Sequence, residues 1–180
     1  MAFALNFNLK LKYYLDELAP EYVWSAEWRA DSRSRVDLAG MKAKILHVLV
    51  EVELKKDNPV ENVVKIWRWA VDEKKTKRIL FLQAFSAHYH SDAPISGRPS
   101  KVKQYERAVF IGEQMTKDRN VSLKYKPLQI QSTTRGGQPI PFKPRMRRGS
   151  VTKEGGAAMH RAAKQLALTI AKLLHSKVHR

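Results

Sequence analysis

Leu11, Tyr14, Leu15 and Leu18 recur at helical spacing and Pro20 follows them, so the chain is predicted to begin with an amphipathic helix that ends before the proline. Residues 21–35 are polar and charged, with Trp24 and Trp28 as the only large anchors, and predict a loop or irregular segment. The period then changes to two. Leu46, Val48, Val50, Val52 and Leu54 alternate with His47, Leu49, Glu51, Glu53 and Lys55, which predicts a strand over residues 45–56. A shorter strand at about residues 35–39 precedes it, across Gly40 and the polar stretch 42–44, as an antiparallel hairpin requires.

Asn58 can cap a following helix and Pro59 suits its first position. Val60, Val63, Val64, Trp67 and Val71 form one apolar face ending near Asp72. Residues 79–85 are apolar apart from Gln83, the pattern of a strand covered on both faces. Strand, helix and strand in this order predict a parallel crossover, so hairpin and crossover together imply an α/β fold with a central mixed β-sheet flanked by helices. Residues 88–99 read as a loop. Ser100 can cap a helix carrying Val102, Tyr105, Val109 and Phe110, and residues 121–130 read as a further strand. Residues 131–156, rich in Gly, Pro, Lys and Arg, predict a long basic flap rather than a regular element. A last helix is expected at about 157–175, with Leu166, Ile170, Leu173 and Leu174 on one side.

Composition narrows the partner class. A chain of 180 residues suits one domain. Its 34 Lys and Arg against 17 Asp and Glu leave a net charge of +17, which favours polyanions. About +13 of that charge falls in residues 114–180, where Asp118 and Glu154 are the only acids; the first 113 residues hold the other fifteen. There is no cysteine, which excludes disulfides and thiolate metal sites. With no signal-peptide pattern and no run long enough to span a membrane, a cytoplasmic protein without a membrane partner is expected.

The alternating strand carries the candidate chemistry. Glu51, Glu53 and Lys55 share one face, and the hairpin partner brings Asp37 beside them. Carboxylate oxygens are the ligands Mg²⁺ selects, and a lysine at the edge of such a site can orient water or stabilise charge. Val36-Asp37, then fifteen residues, then Glu53-Leu54-Lys55, followed by a helix and an apolar strand, resembles the PD-(D/E)xK nuclease superfamily, which includes type II restriction endonucleases and some Holliday-junction resolvases. The resemblance covers roughly residues 9–86, with Val36 in place of the usual proline. It implies a restriction-endonuclease-like fold in which Asp37 and Glu53 hold Mg²⁺, with Mn²⁺ able to substitute, while Lys55 acts on the attacking water. Glu51 is a further metal-ligand candidate. It is also an alternative motif acid, with Glu53 then standing at the lysine position.

The basic flap supplies the complementary surface. Arg135, Lys143, Arg145, Arg147 and Arg148 are expected to cradle the phosphate backbone of DNA, which positions a duplex without specifying its sequence. The reading is therefore a single nuclease domain cutting double-stranded DNA, expected as a homodimer because one site per chain cuts one strand at a time. A junction resolvase and a non-catalytic nucleic-acid-binding protein are the alternatives. Against the catalytic reading, Glu51, Glu53 and Lys55 can be the solvated face of a strand whose other face is core. Glu61 and Lys65, four apart on the next helix, read as a surface pair. His88, Tyr89 and His90 read as loop residues, and Trp67 and Trp69 as packing residues.

Overall fold

The alternation and helical periodicities translate into nine strands and four α-helices among the described residues of the structure, a computed structural model that describes residues 2–32, 34–54, 58–74, 77–90, 101–134, 136–143, 146–147, 150–151 and 153–176. Strands β1 (Val23–Arg29), β2 (Arg35–Lys42), β3 (Ile45–Glu53), β4 (Ile79–Phe85) and β5 (Leu123–Gln129) pair in that order into one sheet. The β1/β2 and β2/β3 pairs are antiparallel, and β3/β4 and β4/β5 are parallel. The sheet is therefore mixed, with the hairpin and the crossover where the pattern placed them. The hairpin turns at Ala43 and Lys44, whose φ values of 50° and 62° suit the twist of a two-residue turn between antiparallel strands.

Helices cover both faces. Helix α1 (Ala2–Leu18) and helix α4 (Lys153–His175) pack together on one face, where Phe7, Leu11 and Leu15 meet Val48, Val50 and Leu82 of the sheet and Leu166 and Ile170 of α4. On the other face lie α2 (Val60–Asp72) and α3 (Val102–Lys117), with Val63, Ile66 and Trp69 packed over Leu49, Phe81 and Phe85. Fully burying such side chains contributes about 1.5–3 kcal/mol each. β4 is buried along its whole length, as its near-continuous apolar run requires.

The structure corrects several expectations. Residues 21–35 do not form a loop, because β1 lies within them as the edge strand beside β2. Pro59 occupies the cap position of α2 and no side chain caps it; Asn58 instead donates to Glu61 at 3.1 Å. α4 begins at Lys153 rather than near 157. The flap contains regular structure after all, in the hairpin of β6 (Gln131–Thr133) with β7 (Pro139–Pro141) and the pair β8 (Met146–Arg147) with β9 (Ser150–Val151). Residues 87–89 form a 3-10 turn whose Tyr89 is fully buried against Phe85, so they are not simply loop. The Ser100 cap lies outside the described residues.

Candidate active site

The hairpin and the crossover bring the acids to one end of the sheet. In the β2/β3 ladder Leu38 pairs with Val50, so Asp37 lies just beyond the last pair, opposite Glu51. Asp37 accepts hydrogen bonds from the Val52 backbone N–H at 2.7 Å and from Asn8 Nδ2 of α1 at 2.8 Å, and it also shares a hydrogen bond with Glu51. Asn8 is buried, and its Oδ1 has no hydrogen-bond partner among the described residues.

Glu51 is 4% and Glu53 1% exposed, which overturns the solvated-face reading: α2 covers the face that carries them. Lys65 of α2 places Nζ 2.6 Å from Glu51 Oε1, so it does not form the expected surface pair with Glu61. Glu53 Oε1 accepts from Asn62 Nδ2 at 2.6 Å and from Gln83 Nε2 at 2.7 Å. Gln83 Nε2 also donates to the Pro59 carbonyl at 2.8 Å, and its Oε1 accepts from the Tyr125 hydroxyl at 2.9 Å. The one polar residue in the apolar run of β4 thus fixes the orientation of Glu53. A cavity of about 650 Å³ opens beside Lys65 and is lined further by Asn58, Glu61, Arg68 and Trp69.

The electrostatics follow from this crowding. Burial, then the negative charges of Asp37 and Glu53, push the Glu51 carboxyl well above its ordinary range, and Lys65 offsets this only in part. Burial also raises Asp37, against the lowering effect of its hydrogen bonds from Val52 and Asn8. Asp37 and Glu53 thus both oppose ionisation of Glu51, in a site from which water is largely excluded.

Asp37 and Glu51 are brought together directly. Glu53 is close enough to act on Glu51 electrostatically, but its Oε1 turns toward Asn62 and Gln83. Among the described residues no group of three or more acids or imidazoles is spaced to hold a metal ion. Lys55, Arg135, Arg145 and Arg148 lie outside the described residues. Arg147 has its backbone in β8, and Lys143 is exposed directly after Phe142. That placement matters because the Ala87 N–H donates to the Phe142 carbonyl at 2.8 Å and the Ser86 N–H donates to the Glu53 carbonyl at 3.0 Å. The start of the basic segment is therefore tied to the end of the sheet that holds the acids.

Sequence reasoning missed Asn8, Asn62, Lys65 and Gln83 as site residues. Gln83 had a legible signal, as a lone polar residue in a run otherwise buried on both faces. Of the tryptophans, Trp69 packs edge-on against Trp28, while Trp67 donates to Asp118 at 2.6 Å. Comparison with family models, curated proteins and solved structures finds no match to the chain. No helix among the described residues is long and apolar enough to cross a membrane.

Proposed function

We propose that the chain is a divalent-metal-dependent endonuclease of the PD-(D/E)xK, restriction-endonuclease-like kind, hydrolysing phosphodiester bonds in double-stranded DNA as a cytoplasmic homodimer. The observation that carries this reading is the gathering of Asp37, Glu51 and Glu53 at one end of the sheet, with Lys65 as their cation among the described residues. Ionised carboxylates are costly to desolvate unless compensated, and a divalent ion supplies the missing charge. In kind the donors suit Mg²⁺ or Mn²⁺, since all are hard oxygens and the orphaned Oδ1 of Asn8, whose Nδ2 donates to Asp37, adds a neutral one; the ion would have to draw them closer than their present spacing.

Asp37 and Glu51 would hold the ion, with Glu53 and Asn8 beside them. When bound, such an ion activates water and neutralises a scissile phosphate. Lys65, paired with Glu51, would be the cation that holds the attacking water or the charge that develops, a role the sequence resemblance gives to Lys55. Lys143 would meet the backbone of the duplex from the same end of the sheet, and Arg145, Arg147 and Arg148 are proposed to add further phosphate contacts.

A non-catalytic nucleic-acid-binding protein is the second reading, favoured by the 2.6 Å Lys65–Glu51 pair, which offsets one buried acid without any metal. Purified protein incubated with plasmid and with a synthetic four-way junction, in Mg²⁺ or EDTA, separates the readings. Discrete Mg²⁺-dependent plasmid fragments are expected, with Asp37→Ala, Glu51→Ala and Glu53→Ala each abolishing cleavage while duplex binding persists. Cleavage confined to the junction points to a resolvase. No cleavage in either condition supports the binder, and wild-type activity in Asp37→Ala removes the site. If Glu51→Ala is more damaging than Glu53→Ala, the motif acid is Glu51.

A further inference from the structure

At the opposite end of the sheet, where β3, β4 and β5 begin, a cleft of about 940 Å³ opens on the face that α4 leaves uncovered at its C-terminal end. Its walls carry Lys42, Lys77, Arg78, Lys124 and Lys126, and among the described residues no acid lines it. All five are exposed, and none forms an ion pair with an acid among the described residues. Glu21, adjacent to the wall residue Tyr22, is engaged by His175 at 3.3 Å. Such a concentration of positive charge attracts phosphate.

The floor is of a different kind. Ile45 and Leu173, both half-buried, give it an apolar base over the buried Val48 and Leu80, and two rings, Tyr22 and His47, stand against each other at 6.1 Å on its wall. His47 reaches this side because of an irregularity in the β2/β3 ladder. Gly40 pairs with Val48 but Met41 pairs with Leu46, so His47 is the extra residue of a β-bulge. Strict alternation would have placed His47 on the Glu51 face; the bulge turns it into the cleft.

We propose that this cleft binds a single-stranded segment of nucleic acid, with its phosphates on the lysine and arginine walls and a base on the apolar floor beside Tyr22 and His47. A duplex keeps its bases stacked inside and offers the floor and rings nothing to cover, whereas an unpaired strand presents both parts. The volume is that of a small-ligand pocket, which accommodates one or two nucleotides rather than a rod. The inference goes beyond the endonuclease reading and does not need it, because His47 and Glu51 are four residues apart along β3, roughly 13 Å. For a nuclease, the cleft would hold a frayed or displaced strand while the acids act elsewhere.

The test is binding of a fluorescent oligothymidylate in EDTA, where cleavage cannot enter, alongside a duplex probe. Lys124→Glu with Lys126→Glu should weaken oligothymidylate binding and flatten its log K against log salt plot by about 0.7 for each phosphate no longer neutralised, so about 1.4 for the pair. Duplex affinity should stay unchanged. Ultraviolet crosslinking of the wild-type complex should mark the peptide bearing Tyr22 or His47. If the charge reversal lowers the melting temperature, Lys124→Gln with Lys126→Gln gives the same readout in smaller measure. Unchanged affinity and slope for the single strand overturn the proposal, as does a crosslink confined to other peptides. Displacement by thymidine monophosphate at equal concentration also overturns it, because the ligand is then a free nucleotide. Loss of all nuclease activity in separate assays leaves this result standing.

Discussion

Glu51 concentrates the tension in the site: a carboxylate 4% exposed, facing Asp37, with one ammonium beside it. Its folded-state pKa lies above the unfolded value, so the native state holds the proton more tightly than the unfolded chain does. The stability linked to that proton is fully present below the unfolded glutamate value of about 4.3 and is lost as pH rises through the raised folded-state value. Asp37 shifts in the same direction and adds to the effect. In EDTA, the melting temperature is therefore expected to fall as pH rises from the unfolded value through the folded one. Glu51→Gln should flatten that slope, and thermal melts across pH check it; equal slopes in both proteins would show that Glu51 is not the titrating group. Lys65 belongs to the same scale. In sequence it sits four residues after Glu61 and reads as half of a helix-surface pair, and only the packing of α2 on β3 reveals Glu51 as its partner.

Among the elements, those with strong periodicity were legible in position: α1, the β2/β3 hairpin, α2, β4 and the crossover between β3 and β4 stand close to where the residue pattern put them, although α2 buries Val63, Ile66, Trp69 and Ala70 and leaves Val64 and Val71 of the expected apolar face exposed. β1 was not, for a physical reason. It is a short edge strand in which Trp24, Ala26 and Trp28 alternate with Ser25, Glu27 and Arg29, but Trp24 and Trp28 join the cores on opposite faces of the sheet, on either side of Glu27 at φ 52°, so the alternation marks no single buried face. The bulge at His47 hid the cleft in the same way, since a period-two pattern cannot register an inserted residue. Acids at Asp37, Glu51 and Glu53 were readable as a group, but the amides that orient them come from three different elements and leave no local pattern. α3 shows how far this support extends. A Cβ added at Gly112 would sit 2.4 Å from the Tyr125 ring, whose hydroxyl holds Gln83 and through it Glu53. Alanine in a helix interior ordinarily gains roughly 0.5–1 kcal/mol over glycine. Here Gly112→Ala is expected to destabilise by about 1–3 kcal/mol, because the ring must move. Denaturant titration decides the sign, and a stabilised variant would mean that Tyr125 is free to shift.

For the whole molecule, charge and chemistry are divided along the sheet, with acids and the start of the basic flap at one end and the lysine-lined cleft at the other. Replacing Arg145, Arg147 and Arg148 together with glutamine should weaken duplex binding for every sequence and lower the salt slope by about 0.9 for each phosphate no longer neutralised. Thermal melts of the variant beside the parent protein check that it remains folded. Fluorescence anisotropy over a salt series tests this; an unchanged slope would relocate the duplex site, and a loss confined to one sequence would make the arginines base readers. The pairing of α1 with α4 carries a consequence of another kind. Phe7, Leu11 and Leu15 are translated early, yet Leu166 and Ile170, which help to cover them, lie far along the same chain. At ordinary translation rates that interval is on the order of ten seconds. Over its second half, once β4 is made, the first helix has its sheet partners but not its last one, so during each round of synthesis the nascent chain offers a greasy flank that chaperones can occupy until the final helix displaces them.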